Sequence, residues 1–168
     1  MHVKSIAIAL GGLVLTGNAF ADTITLTIPN QPPITIKSFA TNASNSPAPN
    51  SHPVCGQVVV TKNITDIDHV FLSYLFTGTR IPKVTILFTE TFRGVVGVPN
   101  GPQVVYTLDL DNAVIESISQ SDSASAGTTS NLSEQVVFVA QSFKYTFSFP
   151  TSKGMSMFGW NCLTSNPT

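Results

Sequence analysis

The sequence predicts an all-β fold, a small β-barrel or two-sheet sandwich of about eight or nine strands with one short α-helix. Apolar and polar residues alternate over many short stretches, and this period of two is typical of strands that are buried on one face. Polar, glycine-bearing and proline-bearing segments separate these stretches. Only one segment after residue 21 has apolar residues at helical spacing.

The strongest strand signal lies close to the end of the sequence. Phe143, Tyr145, Phe147 and Phe149 occupy every second position, with polar residues between them. The period of two places the four rings on one face of a strand. An aromatic face of this size is expected to be buried under another sheet or inside a barrel.

The other strands are predicted from the same alternation. They cover residues 23–28, 34–39, 55–62, 84–89, 104–110, 114–118 and 134–139, with a short last strand over residues 158–162. The first two are expected to form a hairpin or two consecutive strands, since prolines separate them. Turn residues at 111–113 predict a turn, and polar stretches at 41–53 and 119–133 predict long loops.

The helix is predicted over residues 69–76, where Val70, Phe71, Tyr74 and Leu75 follow a three-and-four spacing. Asp68 is the predicted N-cap, and Gly78 is expected to end the helix. Two turns of helix are not stable alone, so the apolar stripe is expected to pack on an open end of the sheet.

Residues 1–21 have the pattern of a Sec-type signal peptide, and residues 22–168 are predicted to form one β-barrel domain. Lys4 gives a positive charge, residues 5–15 are mostly apolar, and Ala19-Phe20-Ala21 is a small-x-small cleavage site. The apolar run is short for a membrane span. We therefore expect an exported protein, periplasmic or secreted, without a membrane anchor.

Export favours a disulfide between Cys55 and Cys162, the only two cysteines. A redox or nucleophilic cysteine is the alternative, but no Cys-x-x-Cys spacing supports it. The chain has 8 Lys and Arg against 9 Asp and Glu, a net charge of −1, and no basic tract. This balance gives no reason to expect a nucleic-acid partner.

Few residues suggest chemistry. Asp66, Asp68 and His69 could in principle hold a metal ion, but carboxylates at a helix start more often cap it. Glu116 and Glu134 could form an acid–base pair only in an apolar pocket, and we expect both to face solvent. No nucleophile motif is found. We expect no catalytic residue, no cofactor and no metal.

From about residue 58 to residue 161 the sequence resembles the haemolysin-coregulated protein (Hcp) family, which builds the tube of type VI secretion systems. The ending Phe158-Gly159-Trp160-Asn161 is the most specific part of the resemblance. The rest of the resemblance lies in the order in which several segments follow one another along the chain. These segments are Val59-Val60-Thr61-Lys62, the capped helix, Ile81-Pro82-Lys83-Val84-Thr85-Ile86, Tyr106-Thr107-Leu108, Val114-Ile115-Glu116-Ser117-Ile118, Glu134-Gln135-Val136-Val137-Phe138 and Lys144-Tyr145-Thr146.

The resemblance implies a compact barrel with a helix on its side, assembled as a homohexameric ring. Such rings stack into a hollow tube, so the expected partners are other copies of the chain and secretion-apparatus or effector proteins. The implied function is structural and not enzymatic. Two alternatives stay open: a monomeric extracytoplasmic module that binds a glycan, small ligand or protein, and a small enzyme delivered as an effector.

Overall fold

The computed structural model describes residues 22–44, 54–122, 132–150, 154–164 and 166–167. These residues form ten β-strands and one α-helix, which confirms the predicted all-β class. The elements are β1 Thr23–Thr27, β2 Ile34–Ile36, β3 Ser38–Ser44, β4 Val54–Asn63, α1 Asp68–Thr77, β5 Ile81–Phe92, β6 Gly101–Asp122, β7 Leu132–Val139, β8 Ser142–Phe149, β9 Gly154–Asn161 and β10 Asn166–Pro167. The predicted signal peptide, residues 1–21, lies outside the described residues.

The strands pair antiparallel in two sheets that share β6. The first sheet has the order β10-β9-β8-β6-β5-β1-β2, and the second has the order β3-β4-β7-β6. The predicted opening hairpin is confirmed, because β1 pairs with β2. The first half of β6 lies between β5 and β8, and its second half pairs with β7.

The turn predicted at residues 111–113 is wrong, because β6 continues through it. Leu110 and Ala113 are both buried, so the strand changes the phase of its inward face between them. Asn112 lies there with a φ of 50°, a left-handed conformation that asparagine adopts more easily than most residues. The turn-forming residues thus mark the place where the strand passes from one sheet to the other.

Both long loops predicted from polar composition are shorter than expected. β3 continues to Ser44 and pairs with β4, although the register shifts between Thr41 and Ala43. β6 continues to Asp122, opposite Leu132. Exposed serine and threonine side chains carry no burial signal, yet their backbone still pairs. The remaining parts of these loops, 45–53 and 123–131, lie outside the described residues.

One buried cluster takes residues from both sheets and from α1. Its fully buried members include Leu26, Val58, Val60, Phe71, Ile86, Leu108, Leu110, Val136 and Phe138. Phe71 is the fully buried residue of α1 in this cluster, and its ring meets that of Phe138 edge to face at 6.5 Å. The helix therefore packs on the sheets, but its buried ring meets β7, which has a partner strand on each side, and not a strand at an open end.

The start of α1 differs from the prediction, whereas its end agrees with it. Asp68 is not the N-cap: Ile67 has that position, and no side chain caps the helix there. Asp68 is the first helical residue, and its carboxylate accepts a hydrogen bond from the backbone N–H of Thr65 at 2.9 Å. Gly78 ends the helix in the left-handed conformation, and its N–H donates to the Leu75 carbonyl.

Candidate functional site

Three charged side chains, Lys62, Asp68 and Glu134, form a buried ion cluster. Lys62 on β4 lies directly opposite Glu134 on β7, and both side chains are fully buried. The Lys62 ammonium hydrogen-bonds to the Asp68 carboxylate and lies 3.2 Å from Oε1 of Glu134. The expectation that Glu134 faces solvent is therefore wrong. Its position opposite a buried lysine turns its carboxylate inward.

The ion cluster is enclosed by further contacts. The Lys62 ammonium also donates to the backbone carbonyl of Asn63 at 3.1 Å and lies 5.2 Å from the centre of the Phe71 ring. Gln120 donates to Oε2 of Glu134 at 2.9 Å. Oε1 of Glu134 has no well-angled hydrogen bond, but ion-pair attraction depends on distance more than on angle. The cluster is suited to joining β4, β7 and α1.

The other polar candidates do not converge on a site. His69 Nδ1 lies 2.6 Å from the backbone oxygen of Asp66. Glu116 is exposed, as predicted, and it accepts a hydrogen bond from Gln57. Among the described residues, no three potential metal ligands lie together. No helix in that part of the chain is long and apolar enough to span a bilayer.

The predicted disulfide between Cys55 and Cys162 is present. It joins residues 107 positions apart in sequence, with their Cα atoms 5.6 Å apart. Cys55 lies near the start of β4 in the second sheet, and Cys162 follows the last residue of β9 in the first sheet. The bond is thus a covalent connection between the two sheets, made next to the end of β9.

The backbone beside Cys55 is tightly packed. A Cβ atom added at Gly56 would lie 1.5 Å from the backbone oxygen of Asn42 on β3. Only glycine lets the two strands approach this closely. The second sheet therefore has a glycine-dependent contact immediately next to the disulfide.

The aromatic row of β8 is buried at one end only. Phe143 is buried and Tyr145 and Phe147 are half-buried, but Phe149 is 53% exposed. The prediction that the whole face is buried is therefore wrong for its far end. Phe39 of β3 stacks on Tyr106 of β6 at 5.6 Å, which shows where the second sheet covers the first. Beyond that contact the side chains of the row become more exposed toward Phe149.

Four of these rings form a continuous group with Phe158 of β9, which we call the aromatic strip: Tyr106, Tyr145, Phe147, Phe149 and Phe158. Burial raises the pKa of Tyr106 well above its ordinary value, and a negative charge on Tyr145 would raise it further. Burial also raises the pKa of Tyr145, although a hydrogen bond with Thr41 acts in the opposite direction. Both phenols therefore keep their protons at neutral pH.

An exposed apolar surface lies on β9 and the end of β8. Phe149 is 53% exposed, Met155 65%, Met157 59% and Phe158 55%. We call these four residues the β9 surface. Met155 and Met157 lie opposite Ser148 and Thr146 of β8, whereas Phe158 lies opposite Tyr145, so β9 is exposed on both faces. Sequence reasoning missed the methionines, although Met-x-Met in a late strand is a usable signal.

β9 is also close to a free sheet edge. On one side it pairs with β8 along its whole length. On the other side, in the part of the chain that the structure describes, β10 pairs only with Asn161 and Trp160. The backbone of the preceding residues therefore has no described partner strand on that side. An edge of this kind can accept another strand.

The four motif residues of the resemblance all lie at the end of β9. Phe158 is exposed, Gly159 is buried, and Trp160 and Asn161 are half-buried. The side-chain oxygen of Asn161 accepts hydrogen bonds from the backbone N–H groups of Leu163 and Thr164, at 2.9 and 3.1 Å. Asn161 therefore shapes the turn that holds Cys162 in place.

Comparison with known proteins gives structural relatives only. No protein-family model and no curated protein matches the sequence. Hcp1 from Salmonella typhimurium is 13% identical with a TM-score of 0.66, over 88% of this chain and 99% of that one. The secreted protein Hcp3 from Pseudomonas aeruginosa is 18% identical with a TM-score of 0.59, over 85% and 98%. A type six secretion system protein is 14% identical with a TM-score of 0.68, over 89% and 100%. The chain has the fold of the Hcp proteins of type VI secretion, as the sequence resemblance predicts.

Proposed function

We propose that this protein is an exported, non-enzymatic structural protein of the Hcp type, which self-associates into hexameric rings that can stack into a tube. The observation that carries the proposal is the β9 surface, in which apolar side chains are exposed on both faces of a strand near the sheet edge of an Hcp fold. Its expected partners are other copies of this chain and proteins of the secretion apparatus or its effectors.

Leaving the apolar side chains of β9 in contact with water costs free energy. Large apolar patches on a protein surface commonly mark interaction sites, and an edge strand offers unpaired backbone groups to another chain. Met155, Met157 and Phe158 combine both features in one strand. A neighbouring copy that covers β9 would bury these side chains and pair the backbone.

A ring needs two different contact surfaces on each subunit. The first sheet supplies two different ends, β9 with β10 at one end and β2 at the other. The β9 surface would form one half of the contact, and the surface around β2 is a candidate for the other half. The low share of charged residues, 10%, and the net charge of −1 impose little repulsion between copies.

Export is the second part of the proposal. Residues 1–21 carry the signal-peptide pattern, and the disulfide suits an oxidising compartment. A protein with both features would assemble after it has left the cytoplasm. This order differs from what the resemblance implies for tube proteins that start in the cytoplasm.

The proposal is tested by producing the full chain in a bacterium and purifying the exported form. Amino-terminal sequencing should begin at Asp22. Light scattering coupled to size exclusion should give the mass of a hexamer, and negative-stain images should show rings. A monomer at all concentrations would overturn the ring, and an uncleaved chain that stays in the cytoplasm would overturn export.

Met157→Glu tests the β9 surface directly. A carboxylate on an exposed strand face should leave the fold stable, because surface substitutions change stability by about 0.5 kcal/mol or less. In the assembly the same carboxylate would be buried without a partner, so the mass should fall to that of a monomer.

The matched control is Gln135→Glu, which places a carboxylate on the exposed face of β7. It should leave the mass unchanged. If Met157→Glu assembles as well as the unchanged protein, β9 is not a contact surface.

The aromatic strip favours one alternative, a monomeric binding module. Exposed aromatic faces such as those of Phe149 and Phe158 can stack on flat apolar faces of ligands, including sugar rings. A monomeric exported protein whose tyrosine fluorescence changes on adding a glycan would support this alternative over the ring.

A further inference from the structure

The disulfide lies at the point where the exposed edge strand meets the rest of the molecule. Cys162 directly follows β9, and Cys55 lies on β4 of the other sheet. Apart from the disulfide, the described contacts of the end of β9 include its pairing with β8, the short pairing with β10 and the bond from the Cys162 N–H to the Gln141 carbonyl at 2.8 Å. Asn161 also accepts two hydrogen bonds from the turn that follows, and the Phe158 ring meets that of Tyr145. All of these contacts are non-covalent, whereas the disulfide is a covalent bond.

We infer that the Cys55–Cys162 disulfide controls self-association through β9: the oxidised chain presents an ordered β9 surface, and the reduced chain does not. The inference rests on the proposed function, because it concerns the regulation of the same surface. Its consequence is that assembly is confined to an oxidising compartment.

The position of β9 explains why it should respond to this one bond. Five of its eight residues, at its start, are exposed, so few buried contacts hold that half of the strand. Elements with few buried contacts open locally at low free-energy cost. The disulfide anchors the opposite end of the strand, because it ties the residue after Asn161 to β4 in the other sheet and so limits how far β9 can move when it opens locally.

The chemistry of the switch is simple thiol–disulfide exchange. The two thiols of Cys55 and Cys162 lose two protons and two electrons as their S–S bond forms. A disulfide oxidant, either a protein or a small molecule, accepts both and becomes two thiols. In the reducing cytoplasm the reverse balance holds, and the chain stays in its thiol form before export.

A purely stabilising disulfide would give a different result from a controlling one. Loss of a stabilising bond lowers the melting temperature but leaves the affinity between folded copies unchanged. Loss of a controlling bond weakens the association between copies that are still folded. The experiment must therefore measure association under conditions in which the reduced protein keeps its circular dichroism spectrum.

The test compares the oxidised protein, the same protein treated with a phosphine reductant, and the Cys55→Ser/Cys162→Ser variant. Mass is measured by light scattering over a wide concentration range. We expect the reduced protein and the variant to need at least roughly tenfold higher concentration for half-assembly than the oxidised protein. The reductant should not change the variant further.

Hydrogen exchange provides a second measurement that does not depend on assembly. It is measured on the Met157→Glu protein, in which contacts between copies are removed. Peptides from β9 should exchange faster after reduction, whereas peptides from β5, in the middle of the first sheet, should not change.

The outcomes separate the two proposals. If the oxidised protein is a monomer, the ring proposal fails, and exchange in β9 still decides whether the disulfide orders that strand. If oxidised and folded reduced proteins assemble at the same concentration, the redox inference fails and the ring proposal stands. Equal exchange in β9 before and after reduction would also overturn the inference.

Discussion

Strands β7 and β9 have the same length, eight residues, but opposite burial. β7 buries a glutamate, Glu134, completely, whereas β9 leaves Phe158 more than half exposed. β7 has a partner strand on both sides, β4 and β6, and lies in contact with α1 through Phe138 and Phe71. Within the described ranges, β9 has β8 on one side and the short β10 on the other. Burial in this molecule follows from the neighbours of a strand more than from the polarity of its residues.

We expect stability and association to depend on different strands. Contacts around β7 are complete within one chain, so they should determine stability. Contacts around β9 are incomplete, so they should determine association. Variants in the two regions can test whether this division is real.

Lys62→Met should have the largest effect. It removes the only cation of the buried ion cluster and leaves Asp68 and Glu134 without their ammonium partner. Breaking a buried ion pair on one side typically costs about 3–5 kcal/mol. The measurement is denaturant unfolding, and the control is Lys144→Met on the exposed face of β8. Equal stability of the two variants would mean that the ion cluster does not hold α1 to the sheets.

Phe138→Ala and Phe158→Ala form the next comparison. Phe138 is fully buried, and its loss should cost about 3–5 kcal/mol through the cavity it leaves. Phe158 is 55% exposed, and its loss should cost about 1 kcal/mol or less. Phe158→Ala should weaken assembly in light scattering, whereas Phe138→Ala should act mainly on the unfolding midpoint. The reverse pattern would break the division between the two regions.

The smallest predicted effect concerns pH. The folded protein holds the phenol protons of Tyr106 and Tyr145 above the ordinary pKa of 10.0, where the unfolded chain releases them. The two phenols therefore contribute fully to the free energy of unfolding below about pH 10, and this contribution is lost as the pH rises further. Tyr106→Phe should reduce the fall in melting temperature between about pH 9 and about pH 11, measured by circular dichroism. An unchanged fall would mean that other groups cause the alkaline loss of stability.

Local patterns in the sequence were sufficient to predict the class of the fold. The all-β class, the opening hairpin, the position of α1, its end at Gly78 and the disulfide all follow from residue type and short spacing. Each depends on a period of two, a helical spacing or the chemistry of a residue in an oxidising compartment. These features need no knowledge of which strand lies beside which.

The features that sequence reasoning missed depend on distant partners. Glu134 is buried because Lys62 lies opposite it on β4, and nothing local to either residue indicates that register. The same buried lysine hydrogen-bonds to the carboxylate of Asp68, a contact that no local pattern indicates. The open end of the aromatic strip depends on how far β3 extends over Tyr106 of β6 and Tyr145 of β8, which is again a long-range property. The candidate site thus required the structure, although Met155 and Met157 could have been noted.

The strand shared by both sheets has a mechanical consequence. β6 runs for 22 residues and is hydrogen-bonded to β5 and β8 in its first half and to β7 in its second half. A force applied along β6 would act parallel to these strands and load many hydrogen bonds in shear at the same time. Opening the molecule along that direction would require them to break together, and not one after another as in peeling. The molecule would therefore resist a load along either half of its longest strand more strongly than a load that peels one neighbouring strand away.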